Sequence, residues 1–204
     1  MKINSASIYD TMYIGSALQK RLNDFSHYEI QLFGYLSCLL SLYEGNPVSA
    51  WGYSFIKNEL GSPYSRELEE SLNALISRKL FEETDGGFFK LSDAGNIELS
   101  KFSTMHSNQA RHKYLNASCS SIQLLPYGVV KDSITKEPIL QSANHHQMRR
   151  LLTDDDSPAF TALYEQFDML KAALSDQKKS LIIPAVVWLE YLNKSPNVEV
   201  SHDN

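Results

Sequence analysis

Several things are scarce in this chain of 204 residues, and each scarcity excludes something. There are two cysteines, Cys38 and Cys119. Two thiols cannot build a disulfide framework, so the sequence is read as belonging to a reducing compartment. No run approaches the roughly 18 apolar residues of a membrane-spanning helix. The densest stretches, around Leu36–Leu42 and Leu181–Leu192, are short and interrupted by polar groups. The opening Met1-Lys2-Ile3-Asn4-Ser5 lacks a signal peptide's basic start and apolar run, so a cytoplasmic protein is expected. A basic excess is also missing: 19 Lys+Arg stand against 24 Asp+Glu, for a formal charge of −5. A chain built to grip phosphate backbone normally shows the opposite balance.

Reactive motifs are absent too. There is no G-x-S-x-G, H-E-x-x-H, phosphate loop or G-x-G-x-x-G. Cys38 lies inside an apolar helical pattern and reads as a packed small hydrophobe. Cys119 has no adjacent Lys or Arg to hold a thiolate. His145-His146 offers no third ligand at a recognisable spacing. Asp154-Asp155-Asp156 lacks the glycine and terminal glutamate of a calcium loop and precedes a helix start, where acids favour the dipole. The sequence therefore points away from catalysis, metal and cofactor.

What is present is an ordinary globular composition, 43% hydrophobic and 21% charged. Residues 1–25 are weakly amphipathic and interrupted by Gly15, which suggests an arm or short helix. From His27 to Glu44, Ile30, Phe33, Leu36, Leu39, Leu40 and Tyr43 recur at helical spacing. Ser26 and Glu29 make a capping box, and Gly45-Asn46-Pro47 stops the helix. Ser49 can cap a second helix, about Ala50–Leu60. Ser62-Pro63 opens a third, with Leu68, Leu72, Leu75 and Ile76 on its apolar face. Leu80–Thr84 and Phe88–Leu91, joined by Asp85-Gly86-Gly87, form a hairpin. Ser92 caps the next helix.

Three helices, a hairpin and a helix follow the order of a winged helix. The expected fold is mainly α with a small β-hairpin. An N-terminal arm or short helix (1–25) precedes a winged-helix domain (26–105). A polar linker or helix extension (106–121) leads to a helical C-terminal domain (122–194), either a second, degenerate winged helix or a plain bundle. A polar tail (195–204) ends the chain.

A winged helix reads DNA with its third helix. Here that helix offers Glu67, Glu69 and Glu70, and the hairpin offers Glu82, Glu83 and Asp85 with Lys90 nearby. Carboxylates repel phosphate, so these faces suit protein contacts better. Arg111 with Lys113, Arg149 with Arg150, and Lys178 with Lys179 are small basic groups, read as surface charge or as modest phosphate contacts. Trp51, Tyr53 and Phe55 are the most unusual local feature. On a helix Trp51 and Phe55 share a face, to be either core or an anchor for a partner. Trp188, three residues before Tyr191, carries the same two readings. Partner-binding candidates are therefore Trp51, Tyr53, Phe55, Glu67, Glu70 and Trp188.

The run Leu42–Phe55, with Gly61-Ser62-Pro63-Tyr64-Ser65 and Pro184-Ala185-Val186-Val187-Trp188-Leu189, resembles the middle, accessory component of Lamassu-type ABC-three-component defence systems of bacteria. The resemblance implies a winged-helix, kite-like subunit that clamps an SMC-like ATPase. A third subunit, often a nuclease, would be the effector. The chain would then be a non-catalytic member of a hetero-oligomer, coupling sensing of plasmid or phage DNA to effector release and meeting DNA only through the complex. The other reading is a winged-helix transcriptional regulator that binds DNA itself.

Overall fold

The computed structural model describes residues 4–143, 150–153, 157–174 and 180–195. The fold is mainly α with small antiparallel β-pairs, as the sequence leads one to expect.

Its N-terminal segment is the first departure. Residues Ser5–Leu22 form a full helix, α1, capped by Asn4, whose side-chain oxygen accepts from the Ala6 and Ser7 amides. Tyr9, Met12, Ile14 and Leu18 enter the core. Gly15 does not weaken α1 so much as admit its neighbours. A Cβ there would lie 2.7 Å from Phe25 and 2.9 Å from Phe81. The sequence suggests an arm or short helix; α1 is a long inner helix, packed on α2 (His27–Tyr43), α3 (Arg66–Ser77), α4 (Asp93–Ser103) and α5 (His106–Ser120).

Helix α2 forms where its pattern places it, with the capping box of Ser26 and Glu29 intact. Every residue from Ile30 to Tyr43 is buried, because α1, α3, α5 and α6 (Tyr127–Thr135) surround it.

The second expected helix is replaced. Val48–Trp51 make a single 3-10 turn, and Gly52 at φ +90° ends it. The chain then extends through Tyr53 and Phe55 into β1 (Ile56–Lys57), paired with β2 (Pro63–Tyr64). Trp51, Tyr53 and Phe55 alternate inward with the two-residue period of a strand. Pro63 accordingly lies in β2, and α3 starts at Arg66 after Ser65. Gln31 pairs with the Ser65 backbone in both directions, at 3.0 and 2.7 Å, fixing α2 to the start of α3. Leu68, Leu72 and Leu75 are buried as expected, Ile76 partly.

The hairpin follows its signal closely. β3 (Phe81–Glu83) pairs with β4 (Phe89–Leu91), Glu82 facing Lys90 in register, with Gly86 and Gly87 both at φ +79° in the turn. Phe25, between α1 and α2, exchanges backbone hydrogen bonds with Phe89 at 2.7 and 3.1 Å, adding a one-residue third edge. The three helices before the hairpin are thus α1, α2 and α3, rather than 27–44, 50–60 and 62–78.

Ser92 caps α4 by accepting from the Gly95 amide. Gly95 is there for space: a methyl would collide with the Leu80 carbonyl oxygen and lie 2.5 Å from Leu91. Gly95→Ala gains up to about 1 kcal/mol of helix propensity. The backbone collision outweighs it, and a net loss of about 1–2 kcal/mol is expected from the range for overpacked sites. A urea midpoint at or above that of the parent would show that α4 can shift away.

The stretch read as linker or helix extension is α5, which buries Tyr114, Leu115, Ala117 and Cys119 against α1 and α2. Beyond it come α6, α7 (Pro138–Ser142), α8 (Pro158–Ala173, capped by Ser157) and α9 (Ile182–Lys194), which starts earlier than Val186. Among the described residues this part contains helices and no hairpin. One continuous core runs from Tyr9 to Leu192. Residues 1–3, 144–149, 154–156, 175–179 and 196–204 lie outside the description. His145-His146, Arg149, the three aspartates, Lys178, Lys179 and the polar tail beyond Ser195 fall there.

Candidate functional site

The aromatic run and the first basic group meet in one place, and it is inside the protein. Trp51 is 2% exposed, Tyr53 7% and Phe55 0%. None of the three stands on the surface as an anchor. The Arg111 guanidinium lies 3.8 Å from the centre of the Trp51 ring. It donates through Nη1 to the Trp51 carbonyl at 2.7 Å and through Nε to Asp10 Oδ1 at 2.8 Å, while Nη2 pairs with Asp10 Oδ2. The Tyr53 hydroxyl donates to the same Asp10 oxygen at 2.7 Å. Arg111 is therefore not a surface phosphate contact: it is buried, and its Nε, Nη1 and Nη2 all donate to Asp10 and to backbone. The fork and the stacking face are what a guanidinium offers and an ammonium does not. Lys113, two residues on, faces outward and pairs with Glu44. Arg150 is exposed and bridges its backbone to Ile56.

A second buried carboxylate, Glu137, was not singled out in the sequence. It caps α7, accepting from the Ile139 amide at 2.9 Å and from the Leu140 amide, and it accepts from the Tyr35 hydroxyl at 2.7 Å. Burial pushes its carboxyl up to about 7, against the pull of those donors and of Lys57. Lys57 itself donates to the Leu140 and Ala143 carbonyls at 2.8 and 3.1 Å. Both buried clusters tie distant segments together. Burial also raises both thiols, Cys38 and Cys119, well above the usual range. Among the described residues no group of three or more His, Cys, Asp or Glu could hold a metal ion.

The surface carries two other features. The first is acidic. On α3, Glu70 pairs with Arg66 at 2.8 Å, Glu67 accepts from the Ser65 hydroxyl, and Glu69 meets His27 Nδ1 at 2.9 Å. The hydrogen bond to Glu69 raises the His27 pKa, so the pair is charged more readily than a free imidazole. On the hairpin, Glu82, Glu83 and Asp85 are exposed, with Lys90 across from Glu82. The local acidity read from the sequence is real, though half of it is tied to neighbours.

The second feature is apolar. Trp188 is only 2% exposed; its Nε1 donates to Gln166 Oε1 at 3.0 Å and its ring sits 5.2 Å from that of Phe167. It is the floor of a groove, not a protruding anchor. Above it lies a cavity of about 270 Å³, lined by Gln166, Met169, Leu170, Ala173, Val187 and Tyr191 besides Trp188 itself. Met169 is 58% exposed and Tyr191 48%. Ile183, Val187 and Tyr191 recur every four residues along α9, a signal the sequence carries but hides among the other apolar residues of that helix.

No helix among the described residues is long and apolar enough to cross a membrane. No family model, no curated protein and no solved structure matches the chain.

Proposed function

We propose that the chain is a non-catalytic accessory subunit of a bacterial defence complex, cytoplasmic and hetero-oligomeric, that binds an SMC-like ATPase. In that role it helps couple sensing of foreign plasmid or phage DNA to release of a nuclease effector. The observation that carries the protein-binding part is the acidity of α3 and the hairpin. The order α1, α2, the β1–β2 pair, α3, β3, β4, with Phe25 bridged to β4, supports a winged-helix reading. Where such a scaffold would read DNA, this one offers Glu67, Glu69, Glu70, Glu82, Glu83 and Asp85. Basic protein surfaces complement that face, and phosphate does not. The choice of an SMC-like ATPase and a nuclease rests on the resemblance of Leu42–Phe55, Gly61–Ser65 and Pro184–Leu189. Those segments supply scaffold and no reactive group, which suits a subunit whose partners carry the chemistry.

The test is co-expression with the products of the neighbouring genes. The expected result is one stable species on size exclusion, containing an ATPase with a long coiled coil. A homodimer that runs alone and binds a defined operator at nanomolar concentration in physiological salt would overturn the proposal in favour of a transcriptional regulator.

A further inference from the structure

The groove between α8 and α9 has features that the acidic face does not explain. Its volume is just under the range of about 300–1,000 Å³ typical of small-molecule sites. Its Gln166 side chain is already engaged with Trp188, so little in it could orient a polar ligand. The open walls are Met169 and Ala173 on α8 and Val187 and Tyr191 on α9. Residues four apart lie above one another on a helix, so Ile183, Val187 and Tyr191 form a stripe of about 12 Å. That is the length over which a partner helix of two to three turns makes contact. Methionine at the rim adapts to side chains of different shape.

The charges beside the groove select the occupant. Glu165 lies one turn before Met169; Asp168 lies off the groove, on the outer side of α8 that carries its ion-pair partner Lys171. Glu190 lies on the outer flank of α9 beside Val187. All three are exposed. Lys171 is turned away, 3.7 Å from Asp168 and 5.3 Å from the Tyr43 ring. Lys194 sits at the C-terminal end of the stripe. The middle of the groove is thus flanked by carboxylate on both sides. A second copy of this chain would bring carboxylate against carboxylate, which is unfavourable.

We infer that the α8–α9 groove is the docking site for an amphipathic helix of a partner protein, apolar along one stripe and flanked by Lys and Arg. This inference deepens the reading of the chain as a protein-binding subunit and rests on it. The mode is that of a helix laid in a groove, anchored at i, i+4 and i+7.

The probe is a synthetic helical peptide with leucines at those spacings and lysine flanks, paired with one of the same stripe and glutamate flanks. Fluorescence anisotropy should show binding of the lysine-flanked peptide at micromolar concentration, and binding at least tenfold weaker for the glutamate-flanked one. Val187→Glu, at an exposed position, should abolish binding while leaving the thermal melt unchanged. The double variant Glu165→Lys/Glu190→Lys should reverse the preference. Equal binding of both peptides, or binding that survives Val187→Glu, would overturn the inference, as would a self-association that Val187→Glu dissolves. In the co-expression experiment, a complex that forms with the parent but also with Val187→Glu would sink the groove and leave the subunit reading standing. Peptide binding without any co-purifying partner would do the reverse.

Discussion

Arg111→Ala is expected to lower the free energy of unfolding by about 3–5 kcal/mol, the range for removing one partner of a buried ion pair. The cost comes from what is left behind. Asp10 is wholly buried, and without the guanidinium it keeps only the Tyr53 hydroxyl as a donor. The Trp51 carbonyl loses its donor, and one face of the Trp51 ring loses its cover. Arg111→Lys should recover little, because a single ammonium cannot serve both Asp10 oxygens and the carbonyl while stacking on the ring. The double change Asp10→Asn/Arg111→Met should cost clearly less than the two single changes together, since it removes the stranded charge. Urea denaturation followed by circular dichroism measures all five variants. A loss below about 1 kcal/mol for Arg111→Ala would mean that Asp10 reaches water, contrary to the burial described.

Glu137 is the second position where a large effect is expected. Glu137→Ala at pH 5 should cost about 2–4 kcal/mol, because it removes the α7 cap and strands the buried Tyr35 hydroxyl. The parent protein should also show a pH dependence of definite sign. Burial raises the carboxyl from 4.5 to about 7 on folding, so the folded state holds this proton more tightly than the unfolded one. The stabilisation is then full below pH 4.5 and is lost as pH rises through about 7. At about 1.36 kcal/mol per unit the contribution is about 3 kcal/mol. Unfolding free energies at pH 5 and pH 8 should therefore fall with rising pH in the parent and fall less in Glu137→Gln, which has no proton to lose. Identical slopes in the two proteins would remove Glu137 as the source.

Which parts of this fold were legible in the sequence follows from how local their causes are. The Ser26–Glu29 capping box, the Asp85-Gly86-Gly87 turn, the Ser92 cap and Ser157-Pro158 at the start of α8 act over three or four residues, and each element formed where its signal stood. Helix α1 is stronger than its sequence suggests, because Gly15 reads as a helix breaker whereas it makes room for Phe25 and Phe81. Residues 50–60 carry two periods at once: Trp51 and Phe55 fit a helix, while Trp51, Tyr53 and Phe55 fit a strand equally well. Only Gly52 at φ +90° decides between them. Arg111 and Lys113 are near neighbours in sequence yet point about 200° apart around α5. One is buried on Asp10, 101 positions away, and the other is outside. Glu137 likewise finds Tyr35 across 102 positions. The groove was hidden for a different reason: α9 is apolar on most of its circumference, so periodicity alone could not tell Trp188 on the floor from Tyr191 on the rim.

The burial of α2 bears on how such a chain can diverge. From Ile30 to Tyr43 every position is buried, so none can take a charge cheaply. In a set of relatives this stretch would have to keep uncharged residues that pack or, like Gln31, find their hydrogen bonds inside the fold. The outer faces of α3, the hairpin and the α8–α9 rim would be free to change with their partners. Selection for a new partner would then rewrite the surface and leave the central helix as the lasting record of descent.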